Sequence, residues 1–152
     1  MLEIADLVGY SPEGQIALLV EAKARTGRSR AWAMQTRRNM LSHGDAPNSR
    51  FLLLALPDRF YLWKDAGNAA DLVEPNYELD ARPFLQPYFE RTQIPPDRVS
   101  GQSFEFILFS WLNELIQSGL PASIPEEQRK LLLESGLLEA LHGGRIALEV
   151  AA

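Results

Sequence analysis

Asp6, Glu21 and Lys23 are the residues whose types and spacing suit a reaction. The stretch QIALLVEAK, residues 15–23, reads as a strand that is apolar until its last third. Side chains alternate faces along a strand, so Glu21 and Lys23 project to one side while Val20 and Ala22 take the other. A carboxylate and an ammonium at the end of such a strand are costly without a task or partners. Asp6 lies on the preceding segment and, across a hairpin, would face the same pocket. Two carboxylates beside one lysine suit phosphodiester cleavage. The carboxylates would hold a divalent cation, which neutralises phosphate charge and lowers the pKa of a bound water. The lysine would steady the attacking water or the charge developing at phosphorus. Against this stands the ordinary fate of an E-x-K triplet, which is a surface ion pair.

Such a trio needs a scaffold. Leu2 to Tyr10 reads as a strand, Ser11-Pro12-Glu13-Gly14 as a turn, and residues 15–23 as the returning strand of a hairpin. After a polar loop, Arg30 to Ser42 has helical patterning, with Ser29 as N-cap and Gly44 as stop. Phe51 to Leu56 is an apolar run of the kind buried on both faces, and Phe60 to Lys64 is a short aromatic strand after the Pro57-Asp58-Arg59 turn. Residues 65–100 read as irregular, with one helix near Arg82 to Arg91 and a loop at Ile94 to Asp97. Gln102 to Ser118 is an amphipathic helix. Pro125 to His142 is another, broken or bent at Gly136, and Arg145 to Val150 is a last strand. The expectation is a single α/β domain over residues 1–152, with a mixed sheet and a catalytic core in 1–65. Residues 66–152 form a mostly helical extension.

The chain has 152 residues, 46% hydrophobic and 23% charged, which places it among globular proteins with one real core. It has no cysteine, which excludes thiolate sites, and only two histidines, which argues against a His-rich zinc site, so a metal site would be built from oxygen ligands, favouring Mg2+, Mn2+ or Ca2+. No apolar run is long enough to span a bilayer and no secretory leader is visible, so a cytoplasmic protein is expected. The net charge of −5 is unevenly spread. Residues 1–65 carry nine Lys/Arg against seven Asp/Glu, and residues 66–152 carry six against thirteen. Lys23, Arg25, Arg28, Arg30, Arg37 and Arg38 fall together without an acidic residue among them, a local stripe suited to phosphates. On a helix, Gln35, Arg38, Asn39 and Ser42 share one side that could line a phosphate groove.

Asp6, fourteen intervening residues and then Glu21-Ala22-Lys23 at a strand end before a helix resembles the PD-(D/E)XK (restriction-endonuclease-like) nuclease superfamily. The wider wording, VEAKARTGRSRAWAMQTRRNMLSHG followed by FLLLALPDRFYLW, is similar to a group of small nuclease-like proteins common in cyanobacteria. The resemblance implies a restriction-endonuclease-like mixed sheet flanked by helices and a Mg2+-dependent (or Mn2+-dependent) nuclease. Asp6 and Glu21 would be metal ligands, the Ala22 carbonyl a further ligand, and Lys23 the catalytic lysine. Gln35 stands where several members place a glutamine near the site. The partner would be nucleic acid, DNA before RNA, with Arg25, Arg28, Arg30 and Arg38 on phosphates. A chain this short has no room for an added recognition domain, so sequence preference would need a homodimer or another partner. The chain departs from the pattern in three ways. Ala5 stands where many members have proline, a helix-borne acidic residue has no counterpart, and the core helix and strand that normally precede the aspartate are missing ahead of it. Either that helix and strand are left out of the sequence ahead of Asp6, or the C-terminal helix and strand fill their place in a permuted order, which requires the last strand to lie beside the first.

Other residues have ordinary readings. Trp32, Trp63 and Trp111 are assigned to the core or an interface, His43 to a helix C-terminal cap, and the Phe/Leu stripe of residues 104–116 to the core. Two readings compete with a nuclease. One is a catalytically silent nucleic-acid-binding or assembly module that keeps the fold. The other is a protein-interaction scaffold working through residues 66–152.

Overall fold

The computed structural model describes residues 5–43 and 46–149, so the expected strand start at Leu2, the helix stop at Gly44 and the strand end at Val150 lie outside the described residues. Among the described residues six strands form one sheet: β1 (Leu7–Tyr10), β2 (Ile16–Ala22), β3 (Phe51–Ala55), β4 (Arg59–Lys64), β5 (Tyr77–Asp80) and β6 (Arg145–Leu148). The helices are α1 (Arg30–Leu41), α2 (Arg82–Thr92), α3 (Gly101–Ser118), α4 (Glu126–Glu134) and α5 (Leu137–Leu141). The strand order is β5-β4-β3-β2-β1-β6. Among the described strands only β2 and β3 run parallel, and α1 is the crossover between them, as a parallel pair requires.

The local causes are plain. Gly14, at φ 84°, closes the β1–β2 turn, where the left-handed backbone costs a glycine nothing. Ser29 caps α1 by accepting from the Trp32 amide, 3.2 Å away. β3 is buried along its whole length because helices or loops cover both faces of the sheet. One face carries Leu18, Val20, Phe51, Leu53 and Phe60 and packs on α2–α5. The other carries Leu19, Leu52, Leu54, Tyr61 and Trp63 and packs under α1. Phe60, Phe84 and Trp111 form an aromatic cluster between sheet and helices, with centroids 5.0 to 5.6 Å apart.

Several expectations are met at the level of elements. The hairpin, α1, the β3–β4 pair and the C-terminal helices are where the patterning puts them. The long C-terminal helix divides at Gly136, whose φ of 85° ends α4 and starts α5. β6 pairs antiparallel with β1, Leu7 opposite Leu148 through Tyr10 opposite Arg145, so the last strand does lie beside the first. The backbone continues this contact to Asp6, whose carbonyl accepts from the Glu149 amide at 3.0 Å. One element was not expected. β5 lies in the segment read as irregular and forms the sheet edge beside β4.

Candidate active site

The β1–β2 register places Leu7 opposite Val20, so Asp6 arrives beside Glu21 and Ala22. Two bonds fix it there. The Asp6 amide donates to the Val20 carbonyl at 3.0 Å, and the Ala22 amide donates to Asp6 Oδ2 at 2.7 Å. The second replaces a ladder bond with a side chain, which aims the carboxylate along the end of β2. It also orients Ala22. In a strand the N–H and C=O of one residue point to the same side, so the Ala22 carbonyl faces the edge where Asp6 sits. The next residue turns the other way, since the Lys23 amide donates to the Ala55 carbonyl of β3 at 3.0 Å.

Glu21 and Lys23 emerge on the α1 side of the sheet, and Lys23 Nζ is 3.7 Å from Glu21 Oε1. Glu21 is recessed, its side chain 18% exposed, whereas that of Lys23 is 41% exposed and stands at the mouth. Asp6, Glu21, Lys23 and Arg25 form the sheet side of an open cleft of about 450 Å³, and Trp32, Thr36, Asn39 and His43 form its α1 side. His43 Nδ1 lies 2.8 Å from the Asn39 carbonyl oxygen. A carbonyl only accepts, so Nδ1 carries the proton in the neutral ring and Nε2 keeps its lone pair. His43 is thus both the expected helix-end contact and a wall of the cleft.

The residues expected to bind phosphate part company. Arg25 lines the cleft. Arg28 lies beside it, its guanidinium 5.6 Å from the Trp32 ring centroid. Arg38 sits in the last turn of α1, away from the cleft lining. Arg30 turns to β5, donating from Nε to Glu78 at 2.8 Å and pairing with Glu74 at 3.8 Å. Arg37, counted in the basic stripe, is 2% exposed and belongs to the core side of α1. It donates to the carbonyls of Ala66, Gly67 and Asp71 and lies over Trp63, and burial pulls its pKa down. Gln35 is exposed and donates to Asn39 Oδ1 at 3.4 Å, so it meets the cleft through Asn39 rather than lining it.

The loop between β2 and α1 carries Arg25 and Arg28, and the loop and the first residue of α1 are held at three points by the β3–β4 turn, β4 and β5. Asp58 Oδ2 accepts from the Gly27 amide at 3.0 Å, the Tyr61 hydroxyl donates to the Arg28 carbonyl at 2.7 Å, and Glu78 takes Arg30. Glu78 also accepts from Arg59 at 2.7 Å. The bonds from Arg30 and then Arg59 hold the Glu78 carboxyl below its ordinary range. This bracket has no local sequence signal, because Glu78 sits in β5, within the segment that reads as irregular.

A divalent cation can be tested against these donors. Among the described residues no group of three or more His, Cys, Asp or Glu side chains converges on one point. Two carboxylates, Asp6 and Glu21, line the cleft, and Ala22, bonded through its amide to Asp6, adds a backbone carbonyl at the adjoining strand edge. That set is all oxygen and leaves positions for water and phosphate, the usual arrangement for Mg2+. The donors therefore fit such an ion. No helix among the described residues is long and apolar enough to cross a membrane. Comparison with protein-family models, with curated proteins and with solved structures gives no match.

Proposed function

We propose that this chain is a divalent-metal-dependent phosphodiesterase of nucleic acid, DNA before RNA, built on a restriction-endonuclease-like core in permuted order. The observation that carries the reading is the meeting of Asp6, Glu21 and Lys23 in one cleft, with Asp6 aimed by the Ala22 amide. The permuted order is supported by the β6–β1 pairing and by the helices that precede β6.

Asp6, Glu21 and the Ala22 carbonyl would hold Mg2+ or Mn2+, which supplies charge neutralisation at the phosphate and a more acidic water. Lys23, at the mouth and tied to Glu21, can donate to the attacking water or to a non-bridging phosphate oxygen. Arg25 offers a fixed positive charge on the same wall, where it draws the backbone in without reading sequence. His43 stands on the opposite wall with Nδ1 engaged by the Asn39 carbonyl, which leaves Nε2 to exchange a proton with water or the leaving oxygen.

Supercoiled plasmid incubated with Mg2+ or Mn2+ tests the reading. The wild type should nick it, and Lys23→Ala should abolish nicking while retaining DNA binding. A protein that shifts DNA but cuts under no divalent metal would instead be a binding module.

A further inference from the structure

We propose that the cleft takes an unpaired strand, with Trp32 as the surface on which one of its bases stacks. This rests on the reading that a nucleic-acid backbone comes to Asp6 and Glu21, and it adds which form of nucleic acid comes. The three tryptophans have different fates. Trp63 is 1% exposed and Trp111 4% exposed, both locked in the core. Trp32 is only half-buried and is part of the wall that faces Glu21 and Lys23. Arg28 lies against its ring, so an indole and a guanidinium are presented together. Indoles and guanidinium planes are the surfaces on which splayed bases stack. A base inside a duplex is stacked on its neighbours and offers neither face to a side chain, so only an unpaired one can use Trp32.

Charge agrees. The cationic surface around the cleft is small. Arg37 is buried and Arg30 is held by Glu78, which leaves Lys23, Arg25 and Arg28 near the mouth. Three phosphate contacts on a single strand predict a slope of log affinity against log salt of about −2.

The test is binding measured in EDTA, where nothing can be cut. A fluorescein-labelled single-stranded oligonucleotide and the same sequence as a duplex are titrated with the wild type, Trp32→Ala and Trp32→Phe. The wild type should prefer the single strand by about tenfold or more, with quenching of indole emission that is absent from Trp32→Phe. Trp32→Ala should weaken single-strand binding by about 5- to 150-fold, the range for losing one stacked base, and leave duplex binding unchanged. Trp32→Phe keeps a ring and should retain most of the affinity, which separates stacking from misfolding. Equal or tighter duplex binding, or a Trp32→Ala loss shared by both forms, would overturn the inference. The two readings separate cleanly. A protein that cuts duplex DNA regardless of Trp32 keeps the hydrolytic reading and loses this one. A protein that selects single strands through Trp32 but never cuts does the reverse.

Discussion

The bond from the Ala22 amide to Asp6 Oδ2 makes a prediction that separates the strut from the ligand. Asp6→Ala leaves the Ala22 amide without its acceptor in a partly buried place. An unsatisfied buried donor costs about 1–3 kcal/mol, and partial access to water puts this one near the lower end, about 1–1.5 kcal/mol. For a domain of this size each kcal/mol moves the midpoint by about 2–4 °C, so Asp6→Ala should melt about 2–6 °C below the wild type. Asp6→Asn keeps a carbonyl oxygen in the same position. It exchanges a charge-assisted bond for a neutral one, but it also removes a negative charge beside Glu21. The two effects oppose each other and the net change should stay within about 0.5 kcal/mol. Urea melts in EDTA would measure both variants, and repeating them with Mn2+ would add the second readout. The wild type should gain stability from the ion, by about 1.4 kcal/mol at ten times its dissociation constant. Both variants should gain little. If Asp6→Ala is as stable as the wild type, or Asp6→Asn falls as far as Asp6→Ala, the bond to Ala22 is not what sets the carboxylate.

Two further predictions probe what positions the site. Glu78 has a folded-state pKa below its unfolded value, first because of Arg30 and then Arg59. Its contribution is therefore present above the unfolded value of about 4.3 and is lost as pH falls through the lower folded value. Glu78→Gln should be less stable than the wild type at pH 7, by less than about 1 kcal/mol because both arginines are half-exposed, and the gap should close below pH ~4. A gap that widens on acidification would contradict the assignment. Gly144 abuts the Tyr10 backbone carbonyl, and a Cβ there would collide with that oxygen, which cannot swing aside. Gly144→Ala should cost about 3 kcal/mol and loosen β6 from β1. Because the Glu149 amide holds the Asp6 carbonyl, Mn2+ affinity should fall as well, whereas unchanged melting and affinity would show that β6 does not buttress the site.

The sequence was most legible where periodicity and burial agree. The apolar runs of β2 and β3 and the Ser29 cap are local signals, and alternation alone places Glu21 and Lys23 on one face. β5 escaped because Tyr77-Glu78-Leu79-Asp80 is only two alternations long and is flanked by Pro- and Asn-rich chain. Its polar positions are occupied through contacts with Arg30, Arg59 and Arg82, which no local pattern reveals. The angle of α1 was also hidden. Its buried stripe is Ala33, Arg37 and Leu41, and an arginine at the centre of that stripe looks like a solvated residue. Without it the cleft side was read as Gln35, Arg38, Asn39 and Ser42. The stripe rotates the helix so that Trp32, Thr36, Asn39 and His43 face the carboxylates. Trp32 and His43 carried no signal of their own, since an aromatic near a helix start and a histidine at a helix end both have common structural uses.

The proposed chemistry requires a cation at the ends of β1 and β2. A crystal soaked in Mn2+ and measured at the manganese edge decides it. One anomalous peak is expected within about 2.0–2.4 Å of Asp6 and Glu21 carboxylate oxygens and of the Ala22 carbonyl, with Glu21 drawn away from Lys23. A soaked crystal with no peak there, and with Glu21 still paired to Lys23 as in the present structure, would contradict it.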